Sequence, residues 1–184
     1  DVSVETRARV QQIITEMGYS PNAIARSLSQ GRTHSLGVVV HGLTYYGRAH
    51  TLQGIERQAN ALGYSLQLVL MQDPSQDHHA QIIRNLGARR VDGILWAVPE
   101  IGENLAWLDA NAELPLPVVF VNMEPRSQWD SVGVDNARGG MLAANHLLEQ
   151  GCRKVGAITG PLDWWEARQR LHGWRIALEQ AGIG

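Results

Sequence analysis

The chain has 184 residues, 44% of them hydrophobic and 18% charged, with a formal net charge of −2. That length suits one ordinary domain, or one domain with an appendage, and the composition excludes a generic disordered chain. No apolar run approaches the ~20 residues that span a bilayer, the first residues do not resemble a signal peptide, and the single Cys152 cannot form an internal disulfide, which points to a reducing cytoplasm. The net charge carries no overall nucleic-acid footprint, although residues 1–33 are net +1 and the remainder net −3.

In chain order, residues 3–17 predict a helix. Ser3 can cap it, Val10, Ile13, Ile14 and Met17 form the i, i+3, i+4, i+7 stripe, and Gly18 stops it. Fifteen residues make a weak lone helix, so the stripe calls for a partner. Pro21 to Leu28 predicts a helix of about two turns, followed by a polar linker, Gln30 to His34. From Ser35 the pattern alternates between strand and helix. Leu36–Val40 reads as a strand buried on both faces, and a helix follows with Leu52, Ile55, Ala59 and Leu62 inward, ended by Gly63. Strand Leu66–Met71 precedes a helix bearing Ile82, Ile83 and Leu86, and strand Gly93–Val98 precedes one bearing Leu105 and Leu108. Strand Pro117–Val121, the short run Val132 to Val134 and a helix from about Asn136 to Gln150 come next. A strand Lys154–Thr159 and a helix from about Trp165 to Ala181 complete the array. Such an order implies an α/β fold: a doubly wound parallel sheet with helices on both faces, preceded by a small helical head.

In open α/β sheets, ligands bind beyond the carboxyl ends of the strands. The segments expected there carry Tyr45, Tyr46, Trp96, Trp129, Trp164 and Trp165, and flat aromatic faces suit the apolar face of a sugar ring. Of the adjacent Trp164 and Trp165, one is expected to be buried and the other to face the cleft. Arg168, one turn into the last helix, can point toward the same cleft. Catalytic readings find no footing. No dinucleotide or phosphate loop, nucleophile elbow or Cys-x-x-Cys is present. His78 and His79 are neighbours whose side chains diverge and read as a solvated helix start. His146 reads as a core histidine, and Asp73 and Asp77 as caps of the following helix. No catalytic residue, metal or cofactor is expected.

The segments Val2-Ser3-x-x-Thr6-Arg7-x-Arg9-Val10, Gly18-Tyr19-x-Pro21-Asn22-x-x-Ala25-Arg26-Ser27-Leu28 and Gly31-Arg32-Thr33 resemble the end of the headpiece and the hinge of LacI/GalR transcription regulators. The resemblance continues in order through Gly37-Val38-Val39-Val40, Gly54-Ile55-Glu56, Val91-Asp92-Gly93-Ile94, Pro117-Val118-Val119 and Val134-Asp135-Asn136. It extends to His146-Leu147-Leu148-x-x-Gly151 and to Gly160-Pro161-x(6)-Arg168-x(3)-His172-Gly173-Trp174, so it covers essentially the whole chain. Each fragment alone is weak; their order and spacing together are specific.

The resemblance implies a periplasmic-binding-protein-like core of two subdomains, a homodimer, and a small carbohydrate bound between the subdomains that controls affinity for operator DNA. It implies that 1–20 ends a DNA-binding headpiece, 21–34 is hinge and linker, 35–152 an effector-binding subdomain, and 153–184 the opening of a second. The hinge helix would enter the minor groove with Leu28 as a wedge and Asn22 and Ala25 on its face, while Arg7 and Arg26 hold phosphates. Arg168 matches an arginine that contacts the effector, and Asp135 a cleft position. Tyr45-Tyr46 stands where many relatives carry Asn-Pro-Phe-Phe; with Trp164-Trp165, and Trp96 beside them, it resembles members sensing β-glucosides, β-galactosides or plant-cell-wall oligosaccharides. Cys152 replaces a usual histidine. The pattern also reads as cut at both ends, without the helix-turn-helix that would precede Asp1 or the rest of the second subdomain. The rival reading is a periplasmic-type sugar-binding protein with no role on DNA; such a protein has no use for residues 3–33.

Overall fold

The computed structural model describes residues 2–18, 31–75, 78–110 and 113–183. They fall into two units, one ending at His34 and the other starting at Ser35.

In the first unit, helix α1 spans Val4–Glu16, with the Ser3 hydroxyl accepting the Thr6 amide at 3.2 Å as its cap. Gly18 takes a left-handed φ of +59° just past the end, as a helix stop requires. None of its residues is buried, and the stripe Val10, Ile13 and Met17 is exposed. The hinge helix expected over 21–28, with Asn22, Ala25, Arg26 and Leu28, lies outside the described residues.

The second unit is a parallel five-stranded sheet in the order β2-β1-β3-β4-β5, with β1 Ser35–Val40, β2 Ser65–Leu70, β3 Gly93–Ala97, β4 Val118–Val121 and β5 Ser131–Val132. Helix α2 (Tyr46–Ala61) connects β1 to β2, and α3 (His79–Ala88) connects β2 to β3. After the sheet come α4 (Asn136–Glu149) and α5 (Trp165–Gln180). The unbroken run Val38-Val39-Val40 is buried, as a central parallel strand demands. Its alternation assigns the faces. Gly37 and Val39 point to α3, where Leu86 lies over Gly37, while Val40 points to α2 beside Leu52. The larger core lies on the α3 side, where Ile83, Leu86, Leu105 and Leu108 pack against Ile94, Trp96, Val98 and Phe120.

Several local expectations are corrected. The helix expected around Leu105 and Leu108 is a single 3-10 turn, Ala106–Leu108. The buried Leu105, just before the turn, and Leu108, at its end, stand three apart, the repeat of a 3-10 helix, so one tight turn seats both. Lys154–Thr159 forms no strand, because no neighbouring strand among the described residues offers a ladder. Instead 155–159 runs beside α4 and α5, with Ile158 fully exposed. His146 is on the solvent side of α4, not in a core. Asp73 accepts the Ser75 amide and hydroxyl in a local turn, and Asp77 lies outside the described residues. His79 is no solvated helix start: its ring stacks on Trp107 at 4.1 Å.

Helix α4 packs on α5. The crossing is set by two glycines: a Cβ on Gly140 would fall on the Arg170 carbonyl, and one on Gly173 on the Ala137 carbonyl. Any larger residue holds the two backbones apart. The boundary expected at 152/153 thus falls between two helices that pack together.

Candidate functional site

At the carboxyl ends of β1, β3 and β4 lies a cavity of about 20 Å³, lined by Val40, Arg48, Thr51, Leu52, Ala97, Pro99, Val121, Asn122 and Glu166. It holds roughly one water molecule. Sheet, α2 and the start of α5 all contribute walls, which is where a doubly wound fold places its ligand crevice.

Arg48 dominates this site. Its guanidinium lies 4.1 Å from the centroid of the Trp164 ring and 5.1 Å from that of Tyr45, and the two rings meet edge to face at 5.3 Å. Nη1 donates to the His41 carbonyl at 3.3 Å, and His41 is itself fixed by donating from Nδ1 to the Met71 carbonyl at 2.9 Å. Nη2 is buried and has no acceptor among the described residues. The guanidinium fits because the chain turns at Gly42: a Cβ there would stand 2.7 Å from Nη1, and its φ of +66° favours glycine. Burial lowers the Arg48 pKa below its ordinary value, and the opposite charge of Glu166 works against that shift. Burial likewise raises the pKa of Glu166, opposed by Arg48 and Arg170.

The far wall is held by polar bonds. Asn122 adopts a left-handed φ of +56°, and its Oδ1 accepts the Val134 amide at 3.3 Å. Asparagine tolerates this conformation better than most residues. The start of α5 is tied to the loop after β3 by amide bonds from Trp165 to the Glu100 carbonyl (3.0 Å) and from Gly102 to the Asp163 carbonyl (2.8 Å). The buried Glu100 carboxylate accepts the Glu124 amide at 2.8 Å and pairs with Arg126 at 3.5 Å, which joins the loops after β3 and β4.

The residues singled out in the sequence are distributed unevenly around this cavity. Tyr45 and Trp164 meet at Arg48. Trp165 is buried and Trp164 half-buried, the split expected of adjacent residues at a helix start. Tyr46 is 78% exposed and stacks on His50 at 3.8 Å. Trp96 is 2% exposed and packs between Trp107 and Phe120, inside the sheet's main core. Asp135 caps α4 by accepting the Arg138 amide at 2.8 Å. Arg168 braces the preceding loop, donating to the carbonyls of Asp163 (2.8 Å) and Leu162 (3.3 Å). Arg7 is exposed on α1.

Sequence reasoning missed Arg48, Thr51, Asn122 and Glu166. The signal for Arg48 was present: it stands four and seven residues before Leu52 and Ile55, on the inward stripe of α2. A charge on an apolar stripe marks a lined cavity.

Residues 33–183 match the family described as periplasmic binding proteins and sugar binding domain of LacI family. The chain therefore belongs to that family. It is 34% identical over 184 residues to the HTH-type transcriptional repressor PurR of Aliivibrio salmonicida (strain LFI1238), covering 99% of this chain and 54% of that protein. With the ribose operon repressor of Escherichia coli (strain K12) it shares 32% identity, covering 99% and 55%. Among solved structures, the Lac repressor bound to ONPG in its repressed state superposes with a TM-score of 0.79 at 25% identity, over 100% of this chain and 56% of the other. The Lac repressor dimer bound to operator and the anti-inducer ONPF gives 0.77 at 25% identity, with the same coverages. The chain spans about half the length of these relatives. They are named as transcriptional repressors, not as enzymes, and no described helix is long and apolar enough to cross a membrane.

Proposed function

We propose that the protein is a cytoplasmic, ligand-responsive transcriptional repressor whose operator affinity is set by a small carbohydrate bound at the Arg48–Trp164 cleft. The observation that carries this reading is the cleft itself. An arginine clamped by two aromatic rings sits at the carboxyl edge of the sheet, in a family described by its sugar binding. Aromatic rings favour β-linked glucosides, galactosides or short oligosaccharides, whose flat faces stack on Tyr45, Trp164 and the exposed Tyr46. Asp135 and Arg168 brace the elements around them. A cavity of about 20 Å³ admits no sugar as it stands, so binding displaces the Tyr45–Gly47 turn.

That displacement is the switch. α5 begins at the cleft, so a ligand that shifts the Tyr45–Gly47 turn against Trp164 moves the start of α5 and, through their packing, α4. In a homodimer this alters the presentation of paired hinge helices to DNA. There Leu28 wedges the minor groove, Asn22 and Ala25 line the same face, and Arg7 and Arg26 hold phosphates. Coupling of ~1–3 kcal/mol weakens operator binding about 5–150-fold. The capped, unburied α1 ahead of the sheet favours this reading over a periplasmic-type sugar-binding protein.

The test is operator affinity of the full-length protein with and without a panel of β-linked disaccharides. A fall of that size with one sugar, lost in Trp164→Ala, is the expected result. Operator affinity that no sugar changes, or that changes equally in the variant, contradicts it.

A further inference from the structure

We propose that the ligand of this cleft is an acidic sugar, bearing a carboxylate or phosphate that Arg48 receives through its unpaired Nη2. The inference rests on the carbohydrate reading above and narrows it. A guanidinium nitrogen buried without an acceptor forfeits a charge-assisted hydrogen bond. A core that needed only volume would place an apolar residue there. Instead every neighbour keeps Arg48 fixed while leaving Nη2 uncommitted. Nη1 is held by His41, the flat face by Trp164, and Gly42 provides the space. This is a donor held ready for an oxyanion, and arginine is the side chain best matched to carboxylate and phosphate oxygens.

The local field agrees. Helix α2 starts at the cleft with no side-chain cap and no acidic residue in its first turn, so the positive end of its dipole is uncompensated there. Arg48 and Arg170 both act on the Glu166 carboxylate, and Arg170 donates to Asn136 Oδ1 at 2.7 Å. A neutral sugar would leave Nη2 with a hydroxyl at best, whereas an oxyanion satisfies it and the helix end together.

The experiment is calorimetric titration of the full-length protein with matched sugars: glucose, glucuronate and glucose 6-phosphate, and galactose with galacturonate. An acidic member binding about tenfold or more tightly than its neutral counterpart is expected, with the uronate and phosphate arms showing which oxyanion is taken. In Arg48→Met this preference should collapse to near parity. Arg48→Lys keeps the charge without the fork and should retain part of it. Ligand-free melting of each variant confirms that it folds. Equal affinity for neutral and acidic members, both lost in Trp164→Ala, overturns the acidic assignment and leaves the carbohydrate reading standing. Absence of binding by every sugar overturns that reading, and this inference with it.

Discussion

Glu166 shows how one residue couples the cleft to stability. The residue is half-buried, and burial raises its pKa despite Arg48 and Arg170. A raised folded-state pKa means that the folded protein holds this proton more tightly than the unfolded chain. Its contribution is therefore full below the unfolded carboxylate range and is lost as pH rises through the folded value. Glu166→Gln removes the burial cost of the charge, so it should melt higher than wild type at pH 7, with the gap closing at about pH 4. Melting curves at the two pH values check this. A variant less stable at pH 7 would show that the attraction to Arg48 outweighs burial. In the interior, Phe120 is fully buried among Trp96, Trp107 and Trp129. Phe120→Ala should cost about 3–5 kcal/mol in denaturant unfolding.

At the scale of elements, the α4–α5 crossing makes the sharpest claim. Gly139 and Gly140 are neighbours on one helix, yet a Cβ on Gly139 meets nothing while one on Gly140 strikes the Arg170 backbone. Gly139→Ala should stabilise by about 0.5–1 kcal/mol through helix propensity alone. Gly140→Ala and Gly173→Ala should each destabilise by about 1–3 kcal/mol or more, because backbone cannot rotate aside as a side chain can. Thermal melts of the three variants decide it, and equal effects at 139 and 140 would remove the crossing as a constraint.

The same scale explains what was legible in the sequence. The β-α order, the buried run Val38–Val40 and the stops at Gly18 and Gly63 rest on local periodicity and backbone freedom, which a sequence displays directly. The strand expected over Lys154–Thr159 failed because a strand is defined by its neighbour, which no local pattern contains. The turn at Ala106–Leu108 failed because two leucines three apart serve a helix and a 3-10 turn equally. At the cleft, Tyr45 was visible as an aromatic in the loop after a strand, and Trp164 as one at a helix start. Arg48, Asn122 and Glu166 come from three separate segments that only the sheet order brings together. Arg168 is one turn from the loop it was expected to face, and it bonds that loop's carbonyls.

For the whole molecule, the proposed control by a carbohydrate depends on the proposed site where Arg48, Tyr45 and Trp164 meet. Thermal unfolding of the full-length protein and of its Trp164→Ala variant, each against neutral and acidic sugars, β-linked disaccharides and purines, tests this most directly. A ligand at 100 times its dissociation constant adds ~2.7 kcal/mol to folding, a plain rise in melting temperature. Such a rise is expected with at least one sugar in the wild type and none in the variant. A rise with purines alone, or one that Trp164→Ala leaves intact, would contradict it.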